Sequence, residues 1–172
     1  PAGGKKLKLS TPRAEKLGWR LCCQLYTFRD RSFYEALEVI AGLGMRAVEP
    51  AFFLTLSKEE PNLKSGESLS PAKRREMKAR MDDLGISMPN YYAPIEGDKS
   101  AWRNVFDFAK EMGVETLVAE PPPEVIEGLD ALCQEYKLNL AIHNHPEGSG
   151  SRYWNPDTLV KACEGRSARI GG

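Results

Sequence analysis

The chain has two histidines, and they stand two residues apart in Leu138-Asn139-Leu140-Ala141-Ile142-His143-Asn144-His145-Pro146. The run reads as a buried β-strand that turns polar at its C-terminal end. In a strand, residues i and i+2 face the same side, so His143 and His145 project together and Asn144 points away. Imidazole is the commonest protein metal ligand, and two on one face suit a divalent ion. One unit upstream, Val114-Glu115-Thr116-Leu117-Val118-Ala119-Glu120-Pro121 brings a carboxylate to the corresponding strand end. Histidine and carboxylate at the ends of successive parallel strands form a natural site. The competing structural reading is a hydrogen-bonded histidine pair at a strand edge, with Glu120 only capping the helix that starts near Pro122.

These residues need a scaffold, and the chain supplies alternating β and α patterns with short breaks. Residues 21 to 28 read as a first strand. Phe33 to Leu43 follows as an amphipathic helix, with Asp30 or Ser32 as its cap and apolar Phe33, Ala36, Leu37, Ile40 and Ala41 at helical spacing. Residues 45 to 49 form a second strand, 59 to 68 a polar loop, and Ser70-Pro71 opens a helix that ends at Gly85. Residues 86 to 91 form a third strand, 99 to 112 a helix, 115 to 120 a fourth strand, 123 to 136 a helix, and 138 to 143 a fifth strand. Asn155-Pro156-Asp157 starts another helix, and residues 167 to 170 approach a sixth strand. Leu43-Gly44-Met45, Leu84-Gly85-Ile86 and Met112-Gly113-Val114 are one recurrent joint: a glycine stops the helix and the chain re-enters the sheet. Recurring units of this kind mean a parallel α/β architecture with right-handed crossovers.

Composition narrows the function classes. At 172 residues the chain suits one domain with a substantial core. Apolar content of 41% and charged content of 28% belong to a soluble globular protein. Lys plus Arg and Asp plus Glu balance at 24 each, so no global field favours nucleic acid or anionic lipid. The Lys5-Lys6-Leu7-Lys8 run fits a mobile terminus, and residues 1 to 17 as a whole read as an N-terminal segment ahead of the domain at 18 to 172. Lys73-Arg74-Arg75 reads as a solvated helix face. Cys22, Cys23, Cys133 and Cys163 show no CxxC spacing and read as reduced thiols. No run approaches the roughly 18 apolar residues of a membrane span. The Pro-Ala-Gly-Gly start leaves both a cytoplasmic location and export after signal removal open.

Two architectures fit: an open doubly wound sheet, or part of a (β/α)8 barrel. The first strand is followed by Thr27-Phe28-Arg29-Asp30, where a dinucleotide fold carries G-x-G-x-x-G. Polar residues gather at the strand C-termini: Gln24 and Tyr26, Glu49, Asn90 and Tyr91, Glu120, then His143 and His145. A ring of that kind favours the barrel.

Gly-Trp-Arg-Leu, Leu-Gly-Met-Arg-Ala-Val-Glu, Leu-Gly-Ile-Ser and Leu-Ala-Ile-His-Asn-His-Pro, in that order, resemble the xylose isomerase-like sugar phosphate isomerase/epimerase family of TIM barrels. The strongest pieces are Ala47-Val48-Glu49 and Ala141-Ile142-His143-Asn144-His145. The resemblance covers residues 18 to 172. It implies one divalent metal, Mn, Co, Mg or Zn, at the mouth, and proton transfer on a sugar or sugar phosphate through a metal-stabilised enediolate. It further implies that His143, His145 and Glu120 serve as ligands and that Glu120 and His143 act in catalysis, a burial-raised carboxyl pKa suiting Glu120 as base. Substrate contacts fall to Gln24, Tyr26, Glu49, Asn90 and the 151 to 155 loop with Arg152, Tyr153 and Trp154. The partner is then a small carbohydrate, with a homo-oligomer compatible and no nucleic acid or membrane involved.

Two departures from the family pattern matter. Many epimerases carry Glu where His143 stands, which makes keto-sugar dehydratases or lyases of the same barrel family the rival class. An apurinic endonuclease of the same fold is a further alternative, opposed by the zero net charge and the scarcity of histidine. The sequence also stops where a sixth strand would begin, so an incomplete barrel is expected, with an exposed sheet edge, weak metal binding and no turnover for this stretch alone.

Overall fold

The end of each central helix is marked by a residue in the left-handed backbone region. In the computed structural model, which describes residue 9 and residues 11–172, α1 spans Pro12–Lys16, α2 Phe33–Gly42, α3 Pro71–Leu84 and α4 Lys99–Met112. The remaining helices are α5, Ile126–Tyr136, and α6, Pro156–Cys163. Gly85 closes α3 at φ 65° and Gly113 closes α4 at φ 78°. Lys137 does the same for α5 at φ 58°, alone among the described non-glycine residues in having positive φ. An L side chain there costs roughly 1–2 kcal/mol. Lys137→Gly is therefore expected to stabilise the chain by about 0.5–1 kcal/mol once the added freedom of the unfolded glycine is subtracted. Urea denaturation checks it; a lower midpoint would contradict the argument.

Helix starts follow the capping residues. Ser32 caps α2 in a reciprocal box: its Oγ accepts from the Glu35 backbone N–H, and its own N–H donates to Glu35 Oε2 at 3.1 Å. Ser70, Asp98 and Asn155 cap α3, α4 and α6 with a side-chain oxygen that accepts from a first-turn backbone N–H. Lys58 beside Glu35, together with the Ser32 bonds, holds that carboxyl down at about 2. A carboxyl depressed below its unfolded value of about 4.3 contributes stability that is complete above that value and is lost as pH falls through the folded one. Unfolding measured from pH 5 to pH 2 is expected to show this loss, and Glu35→Gln to flatten it.

The described residues form two compact units, one ending at Pro89 and one spanning Asn90–Gly172. In the first, β1 (Cys23–Gln24) pairs in parallel with β2 (Val48–Glu49), and an isolated parallel bridge joins Ala47 to Ser87. Phe33, Leu37, Ile40, Leu56, Met77 and Met81 are buried there. Tyr34 and Arg80 link α2 to α3 through a cation–π contact at 4.5 Å.

In the second unit, β3 (Asn90–Tyr92), β4 (Thr116–Ala119), β5 (Asn139–Ile142) and β6 (Ile170–Gly171) form one parallel sheet in chain order. Tyr91, Leu117, Ala119, Leu140 and Ile142 are buried, and the residues between them are half-buried or exposed. Thus β4 and β5 alternate in burial, where the sequence reading has the fifth strand buried. Helices α4 and α5 pack closely where Gly128 leaves room for the Trp102 ring. A bidentate Arg103–Glu135 pair at 2.6 and 2.7 Å seals their outer side. The Asp130 carboxylate of α5 accepts from the backbone N–H (2.9 Å) and the hydroxyl of Ser167, tying the approach to β6 onto the helix.

Three expectations are corrected. The first strand is only Cys23–Gln24, because Leu25–Phe28 winds into a 3₁₀ turn capped by the Gln24 side chain, which accepts from the Tyr26 N–H. The helix expected from 123 opens with a separate 3₁₀ turn, Pro123–Val125. The third strand is placed later, at Asn90–Tyr92, with Ser87 only bridged. The Lys5-Lys6-Leu7-Lys8 run lies outside the described residues, while α1 falls within the segment read as N-terminal.

Candidate metal centre

Strand register brings the chemistry together. Val118 pairs with Ala141, and Tyr92 with Val118. Two residues further along, the same parity carries Glu120 alongside His143, and His145 follows on the same side. The His143 backbone N–H extends the ladder to the Ala119 carbonyl at 2.8 Å, so the pairing persists to the residue that bears the imidazole.

The three side chains converge. One donor atom each from Glu120, His143 and His145 lies within 4.8 Å of the others, and all three residues are half-buried. His145 Nε2 stands 2.8 Å from Glu120 Oε1, and the two imidazoles meet edge to face at 4.7 Å between centroids. Glu120 Oε1 also accepts from the Tyr92 hydroxyl at 3.1 Å, and Oε2 from the Ser151 hydroxyl at 2.8 Å. The Tyr92 ring stands edge-on to His143 at 5.2 Å. Protein bonds to such an ion run about 2 Å, so donors sharing one lie a few ångströms apart, and this set fits with small side-chain rotations. Two imidazoles and a carboxylate are the donor chemistry of a borderline divalent cation.

Electrostatics assigns the roles. Burial is the largest single influence on Glu120 and pushes its pKa up. The Ser151 bond, His145 and the Tyr92 bond together outweigh it and hold the carboxyl below its usual range. A burial-raised carboxyl was expected; an ionised, triply hydrogen-bonded one is found, which suits ligation better than proton abstraction. Burial, and then the neighbouring His145, push His143 down, favouring its neutral form, the state a ligand or proton acceptor needs.

The other expected site residues are placed as follows. Asn90 opens β3 two residues before Tyr92, on the parity of the cluster. Tyr153 is buried with its hydroxyl donating to the Pro121 carbonyl, an anchor for the 151 to 155 loop, whereas Arg152 and Trp154 are exposed. Gln24, Tyr26 and Glu49 belong to the unit ending at Pro89. There the Gln24 side chain is engaged with its own 3₁₀ turn. Tyr26 is half-exposed, edge-on to Phe53 at 6.2 Å with Arg29 over its ring. Glu49 raises the Cys22 thiol, second to burial, which together push it up to about 12.

Two residues of the centre were not read from the sequence. Tyr92 was not singled out, although it shares strand parity with Asn90. Ser151 carries no such signal; its position depends on a loop that folds back over Glu120.

No protein-family model and no curated protein matches the sequence. Solved structures do match. An uncharacterized protein from Parabacteroides distasonis ATCC 8503 superposes with a TM-score of 0.72 at 26% identity over 87% of this chain. A sugar phosphate isomerase/epimerase from the same organism gives 0.60 at 12% over 88%. A family 2 AP endonuclease from Brucella melitensis gives 0.58 at 13% over 88%. The chain spans 60% of the first protein's length and 66% of each of the others. Parallel strands in chain order, a polar cluster at their C-terminal ends and these superpositions give the chain the fold of the xylose isomerase-like, sugar phosphate isomerase/epimerase TIM-barrel proteins.

Proposed function

We propose that this chain holds one divalent metal ion, Mn, Co, Mg or Zn, on Glu120, His143 and His145, and contributes to proton transfer between carbons of a sugar or sugar phosphate. The observation that carries the reading is the convergence of those three donors at adjacent strand ends. Structural likeness to sugar isomerase/epimerase-type proteins supports the substrate class. When bound, the ion supplies Lewis-acid stabilisation of negative charge developing on a substrate oxygen. Glu120 holds its charge ready as a ligand, oriented by Tyr92 and Ser151. His145 steadies the same carboxylate. His143, favoured neutral, offers a single ring lone pair, which would serve either the ion or a proton but not both at once. Asn90 and the exposed Arg152 and Trp154 are the proposed substrate contacts of this unit, Arg152 suiting a phosphate.

The metal half is tested by calorimetric titration of Mn, Co, Mg and Zn ions into the purified chain. Saturable one-to-one binding that is lost in His143→Ala supports it, and affinity unchanged by that substitution overturns it. The substrate half is tested on the longest natural polypeptide that contains this sequence, incubated with ketoses and their phosphates in deuterated water. Metal-dependent entry of deuterium at carbon is expected. Cleavage of abasic DNA without exchange into any sugar would place the centre with the endonucleases instead.

A further inference from the structure

The unit spanning Asn90–Gly172 contains a second polar concavity, whose lining includes none of Glu120, His143 and His145 and shares only Arg152 with the proposed substrate contacts. A cavity of about 400 Å³ is lined by Pro123, Ile126, Tyr153, Ala162, Arg152, Thr158, Lys161 and Arg166. Its size falls within the range of small-molecule sites, roughly 300–1,000 Å³, and a mainly apolar wall with a few polar groups is their usual lining. Here the charged groups are all of one sign: Arg152, Lys161 and Arg166 contribute three cations and no lining residue is acidic. Arg166 Nη1 stands 3.7 Å from Glu127, a carboxylate 86% exposed and so too open to neutralise that guanidinium.

Arg166 gives the independent observation. Its Nε is buried and has no hydrogen-bond partner among the described residues. The Arg166 side chain is 27% exposed and its Nη1 faces Glu127, so a guanidinium that turns towards an anionic oxygen in the cavity would also give Nε the acceptor it lacks. The rim is held in place beforehand. The Thr158 hydroxyl donates to the Arg152 carbonyl at 3.1 Å and is also within 2.7 Å of the Asn155 carbonyl, fastening the loop that carries Arg152 onto the first turn of α6. Tyr153 is pinned by its bond to Pro121.

We infer that this cavity binds a small organic anion, its phosphate or carboxylate held by Arg152, Lys161 and Arg166 and its carbon skeleton against Pro123, Ile126, Tyr153 and Ala162. Planar guanidinium groups suit both headgroups. Ligand occupancy would act on the loop that places Ser151 over Glu120, because Arg152 and Tyr153 follow Ser151 directly.

The test is a titration of the ¹⁵N-labelled chain, without metal, with phenyl phosphate, benzoate and the uncharged control benzyl alcohol, followed by amide chemical shifts. Saturable shifts confined to residues 121–127 and 151–167 are expected from at least one anion, and which of the two binds tighter identifies the headgroup. Benzyl alcohol is expected to bind at least about tenfold more weakly. Lys161→Ala and Arg166→Gln are each expected to weaken the anion about three- to tenfold. Lys161 is exposed, so its substitution keeps the test decisive should Arg166→Gln fail to fold. No shift from either anion up to roughly 10 mM, far weaker than ordinary ligand affinities, equal binding of benzyl alcohol, or indifference to both substitutions would overturn the inference. Because no metal is present, failure here leaves the reading of Glu120, His143 and His145 untouched, and the reverse also holds.

Discussion

Glu120→Gln is expected to weaken divalent-ion binding by more than about a hundredfold, a larger loss than the 10- to 100-fold typical of groups that only orient a ligand. The substitution preserves volume; the amide oxygen can still accept from one of the Tyr92 and Ser151 hydroxyls while the amide NH2 donates to the other, so the fold should survive while the charge is lost. Tyr92→Phe removes one donor to the carboxylate, at 3.1 Å, and leaves all three candidate ligands in place, so a loss of about tenfold is expected. The two variants thus separate ligation from orientation. Thermal unfolding offers a second readout: an ion at a hundred times its dissociation constant stabilises the native state by about 2.7 kcal/mol, and that increment should vanish in Glu120→Gln. An unchanged isotherm for Glu120→Gln would remove the carboxylate from the centre and leave a histidine pair hydrogen-bonded at a strand end.

The other large effect is structural. Phe108 is fully buried on α4, its ring 5.0 Å from that of Tyr91. Truncation to alanine is expected to cost about 3–5 kcal/mol, from lost transfer energy and the cavity left behind. An unfolding free energy, from urea titration, that falls by less than a third of that would mean that the sheet collapses onto the gap. Tyr91 and Tyr92 are consecutive in β3 and face opposite sides, so freeing the first loosens the strand that aims the second at Glu120. Ion affinity should therefore fall in Phe108→Ala beyond what instability alone produces, and Phe108→Leu should recover most of both losses.

Elements governed by local chemistry were legible in the sequence. Ser70-Pro71 and Gly85 bracket α3, and Asn155-Pro156 starts α6, because caps and left-handed stops depend on a few neighbouring residues. The parity of His143 and His145 needs only the two-residue repeat of a strand. What could not be read depends on longer-range balance. Leu25 to Phe28 has strand-like composition, yet one side-chain bond from Gln24 winds it into a turn. The state of Glu120 was misjudged because burial is visible in an apolar run, whereas the Tyr92 and Ser151 hydroxyls that reverse its effect lie 28 and 31 residues away. Lys137 hides for a different reason: its left-handed conformation is imposed by the return to β5 and runs against its own preference.

The sheet β3-β4-β5-β6 follows chain order, so each strand's next partner is always the one that emerges from the ribosome after it. Synthesis proceeds at about 5–20 residues per second, while loops of tens of residues close far faster, so every pairing can form before the following strand appears. The bonds described on Glu120 come from Tyr92, His145 and Ser151. An ion could therefore be captured while translation is still under way, and its uptake could steady a nascent sheet whose outer edge still awaits β6.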